Sequence, residues 1–426
     1  MEVGPGNLPG VTSLTMPKVL LLSRQSLTQR PLQNWLDDTA RDIMLITPKS
    51  AVAGAEDVLA QHFPHHRLVD DYVSWSTMRV AEQAARSFGA TLVASTSEDD
   101  VLRAARLRGR LGLTGQSGES AIAYRDKVTM KRLARAAGIT VPAFAAIDDP
   151  MDLLDFIDAH GFPVVTKPRS GAGASGVRVL RGPGDVAEFL GRPDADPPYL
   201  PGQWMAETFV RGEFFHIDGI MRGGRIVHCW PSRYSDGIAE YLRDGSCLSS
   251  VLLAPDDPGR IALTELTAEV VAALPPAPLP LAFHCEAWLT PDGEPVLCEI
   301  ACRAGGALIP RTYERAFGVQ LSTESLRSQC GSMLTLSEQP SAPGTASGWI
   351  VFPPRAGRFR PPAQPCPVPG VDLTVSMAAG ANSAGLRQVD DVAATAIVSG
   401  ESAAQVRARI ELAARWWHER ATWTRC

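Results

Sequence analysis

Residues 281–306 read LAFHCEAWLTPDGEPVLCEIACRAGG. The runs LAFHCEAWL and VLCEIAC have the look of strands, and Asp292-Gly293 between them is a two-residue hairpin signal. With those two residues as the turn, Pro291 pairs with Glu294, and counting outward sets Glu286 opposite Glu299. Directly opposed side chains on one face stand about 5 Å apart at Cβ, where like charges are destabilising. A cation between the two glutamates relieves that repulsion. Oxygen-only ligands suit Mg²⁺ or Mn²⁺, ions that also hold phosphates. The same register puts His284 opposite Ala301, with Arg303 just beyond. The plain alternative is a pair of solvated glutamates on an exposed strand face. A three- or five-residue loop with a bulge would offset the pairing.

The chain around this hairpin is ordinary in bulk. Its 426 residues suffice for two or three domains with sizeable cores. Hydrophobic residues make up 45% and charged residues 20%, values of a folded rather than a disordered chain. A net charge of −5 and the lack of a basic, aromatic-interleaved stripe argue against nucleic acid as a partner. The eight cysteines form no CxxC pair, which fits reduced thiols better than a disulfide framework or a zinc site. No apolar run approaches the roughly 20 residues of a membrane span. KVLLL is too short for a secretory segment, so the expected location is the cytoplasm. Residues 1–16, rich in Gly and Pro, read as a leader.

Strand and helix signals alternate over residues 17–118. KVLLLS (18–23), DIMLIT (42–47) and ATLVAS (90–95) are apolar runs of the buried-strand kind, with a helix around 77–87. That pattern predicts an α/β domain with a mostly parallel sheet. A helix from about 121 to 137 follows, carrying Lys127 and Lys131 and ended by Gly138. MDLLDFIDAHG (151–161) is a second amphipathic helix. PVVTKP (163–168) and VRVL (177–180) are strands around a glycine-rich loop. WMAETFV, EFFHIDGIM and RIVHCW give three more, the last two joined at Gly223-Gly224. A Pro-rich segment, 353–369, leads into a final small α/β region. Its helix, about 401–419, carries Trp416 and Trp417 as core anchors.

The loop in KPRSGAGASGV (167–177) has three readings. Gly171, Gly173 and Gly176 satisfy G-x-G-x-x-G, but a strand rather than a helix follows, so a dinucleotide site is disfavoured. Gly171 and Gly176 match the Walker spacing, yet Val177-Arg178 stands where Lys-Ser/Thr is needed. There remains a strand–loop–strand flap whose backbone N–H groups, with Lys167, suit phosphate oxygens. An ordinary hairpin is the alternative. Downstream, ETFVRGEFFHID (207–218) offers an edge-like strand with backbone groups near Thr208 to Val210, flanked by Glu207 and Glu213. A backbone donor and acceptor suit an adenine edge, and a carboxylate suits ribose hydroxyls.

A lysine helix, a KP-glycine flap, a glutamate hinge and a paired-glutamate hairpin, in this order, resemble the ATP-grasp superfamily. The likeness is nearest to its carboxylate–amine ligases, including bacterial L-amino acid ligases. LGLTGQSGESAIAYRDKVTMKRLARAAGITVP (111–142) is similar to the entry into their ATP-grasp region. The resemblance implies an α/β, ATP-grasp fold in three parts. These are a Rossmann-like domain at 17–118, an ATP-grasp region at 119–345 with a flap subdomain at about 139–205, and a small α/β lobe at 346–426.

It also implies roles. Lys127 and Lys167 would contact ATP phosphates, Lys167 also lying near the adenine. The flap, with Ser170, Gly171, Gly173, Ser175 and Gly176, would cover the phosphates. Glu207 and the Val210 backbone would take the adenine edge, and Glu213 the ribose. Glu286 and Glu299 would hold Mg²⁺ (or Mn²⁺), and Arg303 would steady the transferred phosphoryl group. Many members have Glu-x-Asn where this chain has Glu299-Ile300-Ala301, which puts a second metal in doubt. His284 either fills that space or positions substrate, unless it is a packed strand histidine.

The implied reaction joins a small-molecule carboxylate, an amino acid or other small acid, to an amine through an acyl phosphate. ADP and phosphate are released. A homodimer is compatible with the resemblance. The rivals are a carboxylase-type or carboxylate–thiol enzyme, and a non-catalytic ATP-binding regulatory protein. Substrate choice is expected to lie around 230–250 and 303–315.

Overall fold

Val19–Leu22 (β1) and Ile43–Pro48 (β2) are buried along their whole length, as strands covered on both faces must be. With His65–Val69 (β3) and Leu92–Ser95 (β4) they form a parallel sheet in the order β3-β2-β1-β4. β3 gave no sequence signal because four of its five residues, HHRL, are not buried. The computed structural model describes residues 17–36, 42–191, 202–235, 245–336, 339, 341–386 and 391–424. The expected leader, and all of the Pro-rich sequence at 193–201, lie outside them.

The expected single helix of 121–137 is two, Gly118–Arg125 and Lys127–Ala136. Asp126 breaks it because its carboxylate accepts from the Thr129 N–H, capping the second helix. The cap fixes Lys127 at the first turn, where its backbone N–H bonds Arg169 O of the glycine loop.

A second, antiparallel sheet holds that loop. Phe144–Ile147 (β5), Val164–Pro168 (β6), Arg178–Leu180 (β7) and Trp204–Thr208 (β8) are ordered β5-β8-β6-β7. The strand–loop–strand flap is therefore β6-loop-β7. The edge-like expectation for β8 is wrong. The strand runs between β5 and β6, and at its end Thr208 pairs with Val164 while its N–H bonds Ala143 O.

The third sheet has eight strands. They are Glu213–Arg222 (β9), Arg225–Tyr234 (β10), Leu248–Leu252 (β11), Leu281–Leu289 (β12), Pro295–Ala301 (β13), Ala346–Phe352 (β14), Val371–Val375 (β16) and Ala394–Gly400 (β18). Their order is β13-β12-β9-β10-β11-β14-β18-β16. Ala356–Arg360 (β15), Asn382–Ala384 (β17) and Thr422–Thr424 (β19) make a small separate sheet. Strand alternation divides the large sheet into two faces. Phe215, Ile217 and Met221 of β9, with Phe283, Cys285 and Ala287 of β12, join a core with helix Pro258–Ala273. Further along, β14 and β18 pack on helix Ala403–Arg420, where Trp417 is buried and Trp416 partly so. The opposite face carries His216, Asp218, His284 and Glu286, which are polar yet buried.

The β12–β13 hairpin has the predicted pairing for an unpredicted reason. His284 faces Ala301 and Glu286 faces Glu299. The connection, however, has three residues. Thr290 N–H bonds Glu294 O, Gly293 N–H bonds Thr290 O, and Gly293 takes φ +82°. That is a turn with a left-handed glycine, and it offsets the register by one residue. A second one-residue bulge at Cys298 removes the offset, because Ala287 pairs with Leu297 whereas Glu286 pairs with Glu299. The bulge leaves Leu297 and Ile300 both in the core behind the sheet. It turns Cys298 and Glu299 both toward the cleft.

Among the described residues no helix is long and apolar enough to cross a membrane. The seven described cysteines are free.

Candidate active site

Between the flap sheet and the polar face of the large sheet lies a cleft of about 1530 Å³. That exceeds the ~300–1,000 Å³ of a single small-ligand pocket. Lys127, Lys167, Ser170, Gly171, Gly173, Ser175, Glu207, Val210, Glu213, His284, Glu286, Glu299 and Arg303 all line it. Of the residues expected at the site only Gly176 is not on its wall, and it belongs to the same loop.

At the flap end, Glu207 is buried between two lysines. Lys167 Nζ is 2.6 Å from its Oε1 and Lys131 Nζ 3.2 Å from its Oε2. Burial opposes the charge of all three. The two ammoniums nevertheless hold the Glu207 carboxyl below its usual pKa. Burial likewise works against Lys167, but Glu207 raises it. Lys131 is lowered, by burial first. Fully buried, Lys131 also donates to Cys298 O (2.8 Å) and Leu297 O (3.3 Å), so it clamps the bulge. The sequence displayed Lys131 but gave it no task, since its partners are strands far away in the chain. Glu213 is exposed and pairs with Arg233 at 2.5 Å at the cleft rim.

In the middle, Lys127 Nζ donates to Gly171 O (2.7 Å) and lies 3.3 Å from Glu299 Oε2. Burial would raise the Glu299 pKa, yet Lys127 and Lys167 outweigh it and hold it at about 2. The loop is tied down by Arg125, which donates to Ser170 O at 2.5 Å, and by a two-pronged Arg169–Asp126 pair at 2.8 and 3.0 Å. Glu286 accepts from the Tyr234 hydroxyl (3.3 Å) and has His284 Nε2 3.5 Å away.

His284 Nδ1 bonds Asp218 Oδ1 (2.8 Å), while His216 takes the other Asp218 oxygen and reaches Ser250 Oγ (2.7 Å). Burial disfavours the imidazolium of His284, but Asp218 and then Glu286 raise its pKa to about 10. Gly305 crosses closely over this network. A Cβ there would lie 2.7 Å from Asp218 Oδ1 and 3.0 Å from His284 Nδ1.

Donor atoms of Glu286, Glu299 and Cys298 lie within 4.8 Å of one another. Burial raises the Cys298 thiol, which leaves the two carboxylates as the donors for a hard cation. Paired hard oxygens in a cleft also lined by Lys127 and Lys167 fit Mg²⁺. His216, Asp218 and His284 are also close enough to hold an ion, but both Asp218 oxygens are already engaged by imidazoles.

Arg303 is half-buried at the far side of these glutamates. Its Nε donates to Glu98 Oε2 (2.6 Å) and its Nη1 to Ala304 O (2.9 Å). Arg125 takes the other Glu98 oxygen at 2.9 Å. Glu98 thus links the arginine to the residue that holds the flap. Sequence reading missed it, because an acid in the run SEDD looks like surface.

No family model matches the chain. It is 26% identical over 310 residues to an L-arginine-specific L-amino acid ligase of Bacillus subtilis, a match covering 71% of this chain and 73% of that protein. It is 31% identical over 147 residues to a D-alanine–D-alanine ligase of Gloeobacter violaceus, covering 32% of this chain and 48% of the relative. Among solved structures, an L-amino acid ligase from Bacillus licheniformis superposes with a TM-score of 0.72 at 17% identity, covering 97% of this chain and all of that one. An N5-carboxyaminoimidazole ribonucleotide synthetase from Thermotoga maritima gives 0.66 at 18%, covering 96% of this chain and 100% of that one.

Proposed function

Since this chain has the ATP-grasp fold and is related to ligases that join a carboxylate to an amine, we propose that it is an ATP-dependent carboxylate–amine ligase. The observation that carries the reading is the opposition of Glu286 and Glu299 on one strand pair, with Lys127 3.3 Å from Glu299 and bonded to the flap. ATP would lie with its base between the flap sheet and Cys298, near Glu207, Lys167 and Val210. Its ribose would be toward Glu213 and its phosphates beneath residues 170–176. Glu286 and Glu299 would hold Mg²⁺, which when bound neutralises charge on the β- and γ-phosphates.

The substrate carboxylate attacks the γ-phosphorus and the bond to the β-phosphate oxygen breaks, giving ADP and an acyl phosphate. The amine then adds to the acyl carbon, phosphate leaves, and the amine loses its proton. Lys127 and Arg303 stabilise charge on the phosphoryl oxygens, which is most of what such a reaction asks of a protein. The closed flap keeps water from the acyl phosphate. His284, fixed by Asp218, positions Glu286.

Incubation with ATP, Mg²⁺, hydroxylamine and a panel of carboxylic acids tests this. Hydroxamate formed in step with ADP is expected. ADP released without any hydroxamate would remove the acyl phosphate, and no ADP with any acid would remove the ligase.

A further inference from the structure

The cleft does not stop at the phosphate end. Past Arg303 it continues over the same face of the large sheet onto strands that carry no metal-binding residue. Tyr234 (β10), Leu248 (β11), Trp349 and Val351 (β14) line it there, with Leu308 and Ile309 above them and Val392 at the rim. The register explains the grouping. Tyr234 pairs with Ser250, Ser250 with Trp349, and Leu248 with Val351, so these side chains share the face that bears Glu286 two to four strands away. Tyr234 joins the two ends, its hydroxyl on Glu286 and its ring 6.2 Å from that of Trp349. No described carboxylate of β10, β11, β14 or β18 lines this end.

We propose that this slot receives the side chain of the acid being activated, and that the acid is an apolar one, branched aliphatic or aromatic. The inference rests on the ligase reading. In that reading the reacting carboxylate must lie between Arg303 and the γ-phosphate, above Glu286. The flap sheet closes one direction and the nucleotide fills it, so the rest of the acid extends over Tyr234 toward Trp349. Tyr234, Leu248, Leu308, Ile309, Trp349 and Val351 pack together as a buried cluster with Val392 at its edge, so an apolar group there meets an apolar floor. A charged side chain loses its hydration and gains no partner of opposite charge among those residues.

The test compares leucine, phenylalanine, arginine and glutamate as acids in the hydroxamate assay, with each acid's binding measured by calorimetry beside a non-hydrolysable ATP analogue and Mg²⁺. The expected result is a kcat/KM at least about tenfold higher for leucine or phenylalanine than for the charged acids, as for substrates sorted by an apolar pocket. Val392→Asp, at the half-buried rim, should cut that preference by about tenfold without changing affinity for the ATP analogue, whereas Val392→Ala should largely keep it. Arginine or glutamate binding or reacting as well as leucine would overturn the proposal, as would the absence of binding by all four. Selective binding of the apolar acids with no hydroxamate would uphold the slot while removing the ligation step.

Discussion

Replacing Arg303 by lysine separates phosphoryl transfer from mere nucleotide binding. A guanidinium has five N–H groups. Arg303 spends one on Glu98 and one on Ala304 O, leaving three to face the cleft. A lysine ammonium has three in all, and serving the same two partners leaves one. In the proposed reading Arg303→Lys therefore keeps the charge and the Glu98 pair but would remove at least one charge-assisted bond to the phosphoryl oxygens, worth about 1.5–3 kcal/mol. If that bond strengthens in the transition state, kcat falls by roughly 10- to 150-fold. Affinity for a non-hydrolysable ATP analogue and the melting temperature should hardly move. The measurements are ADP release at saturating ATP and acid, calorimetric binding of the analogue, and a thermal melt. Near-unchanged kcat would reduce Arg303 to a structural partner of Glu98, since lysine serves that task nearly as well.

Glu286→Gln and Glu299→Gln should each abolish ADP formation with the circular dichroism spectrum unchanged, and turnover near the wild-type rate in either variant would displace the metal from this pair. Hydrogen exchange in residues 170–176 should slow when an ATP analogue and Mg²⁺ are added, because phosphate oxygens give the loop's amides a partner; equal protection with and without nucleotide would leave an ordinary hairpin. His284 has its folded pKa raised from 6.5 to about 10, so the stability it contributes is full below pH 6.5 and is lost as pH rises through about 10. In chelator, the wild-type melting temperature should accordingly fall more between those values than that of His284→Asn, and parallel curves would contradict the Asp218–His284–Glu286 coupling.

The residues that meet ATP in the proposed reading were mostly legible because each stands in a local pattern: a lysine in the first turn of a helix, glycines between two strands, glutamates flanking a hairpin. What stayed hidden depends on distant partners. Lys131 looks like one more charge on a helix until β13 and Glu207 close over it. Glu98 looks like surface until Arg303, 205 residues on, reaches it. β8 was placed at an edge because β5 (FAAI) sits beside it without a strong strand pattern. The pairing of Glu286 with Glu299 was read correctly from a turn one residue too short, and the Cys298 bulge supplied the missing residue. Side-chain alternation cannot reveal two shifts that cancel.

That bulge separates the hairpin's tip from its business end. β12 is held along its whole length by an unbroken register with β9, from Leu281 opposite Met221 to Leu289 opposite Glu213. β13 is held by Lys131 on the carbonyls of Leu297 and Cys298, and by the Leu297 N–H on Thr140 O. Neither anchor uses the turn, whose residues Pro291–Glu294 are exposed. The tip is therefore a permissive port. A peptide tag or reporter spliced between Asp292 and Gly293 would be carried outside the molecule while the two glutamates kept their spacing, whereas a single residue inserted between Leu297 and Glu299 would pull them apart.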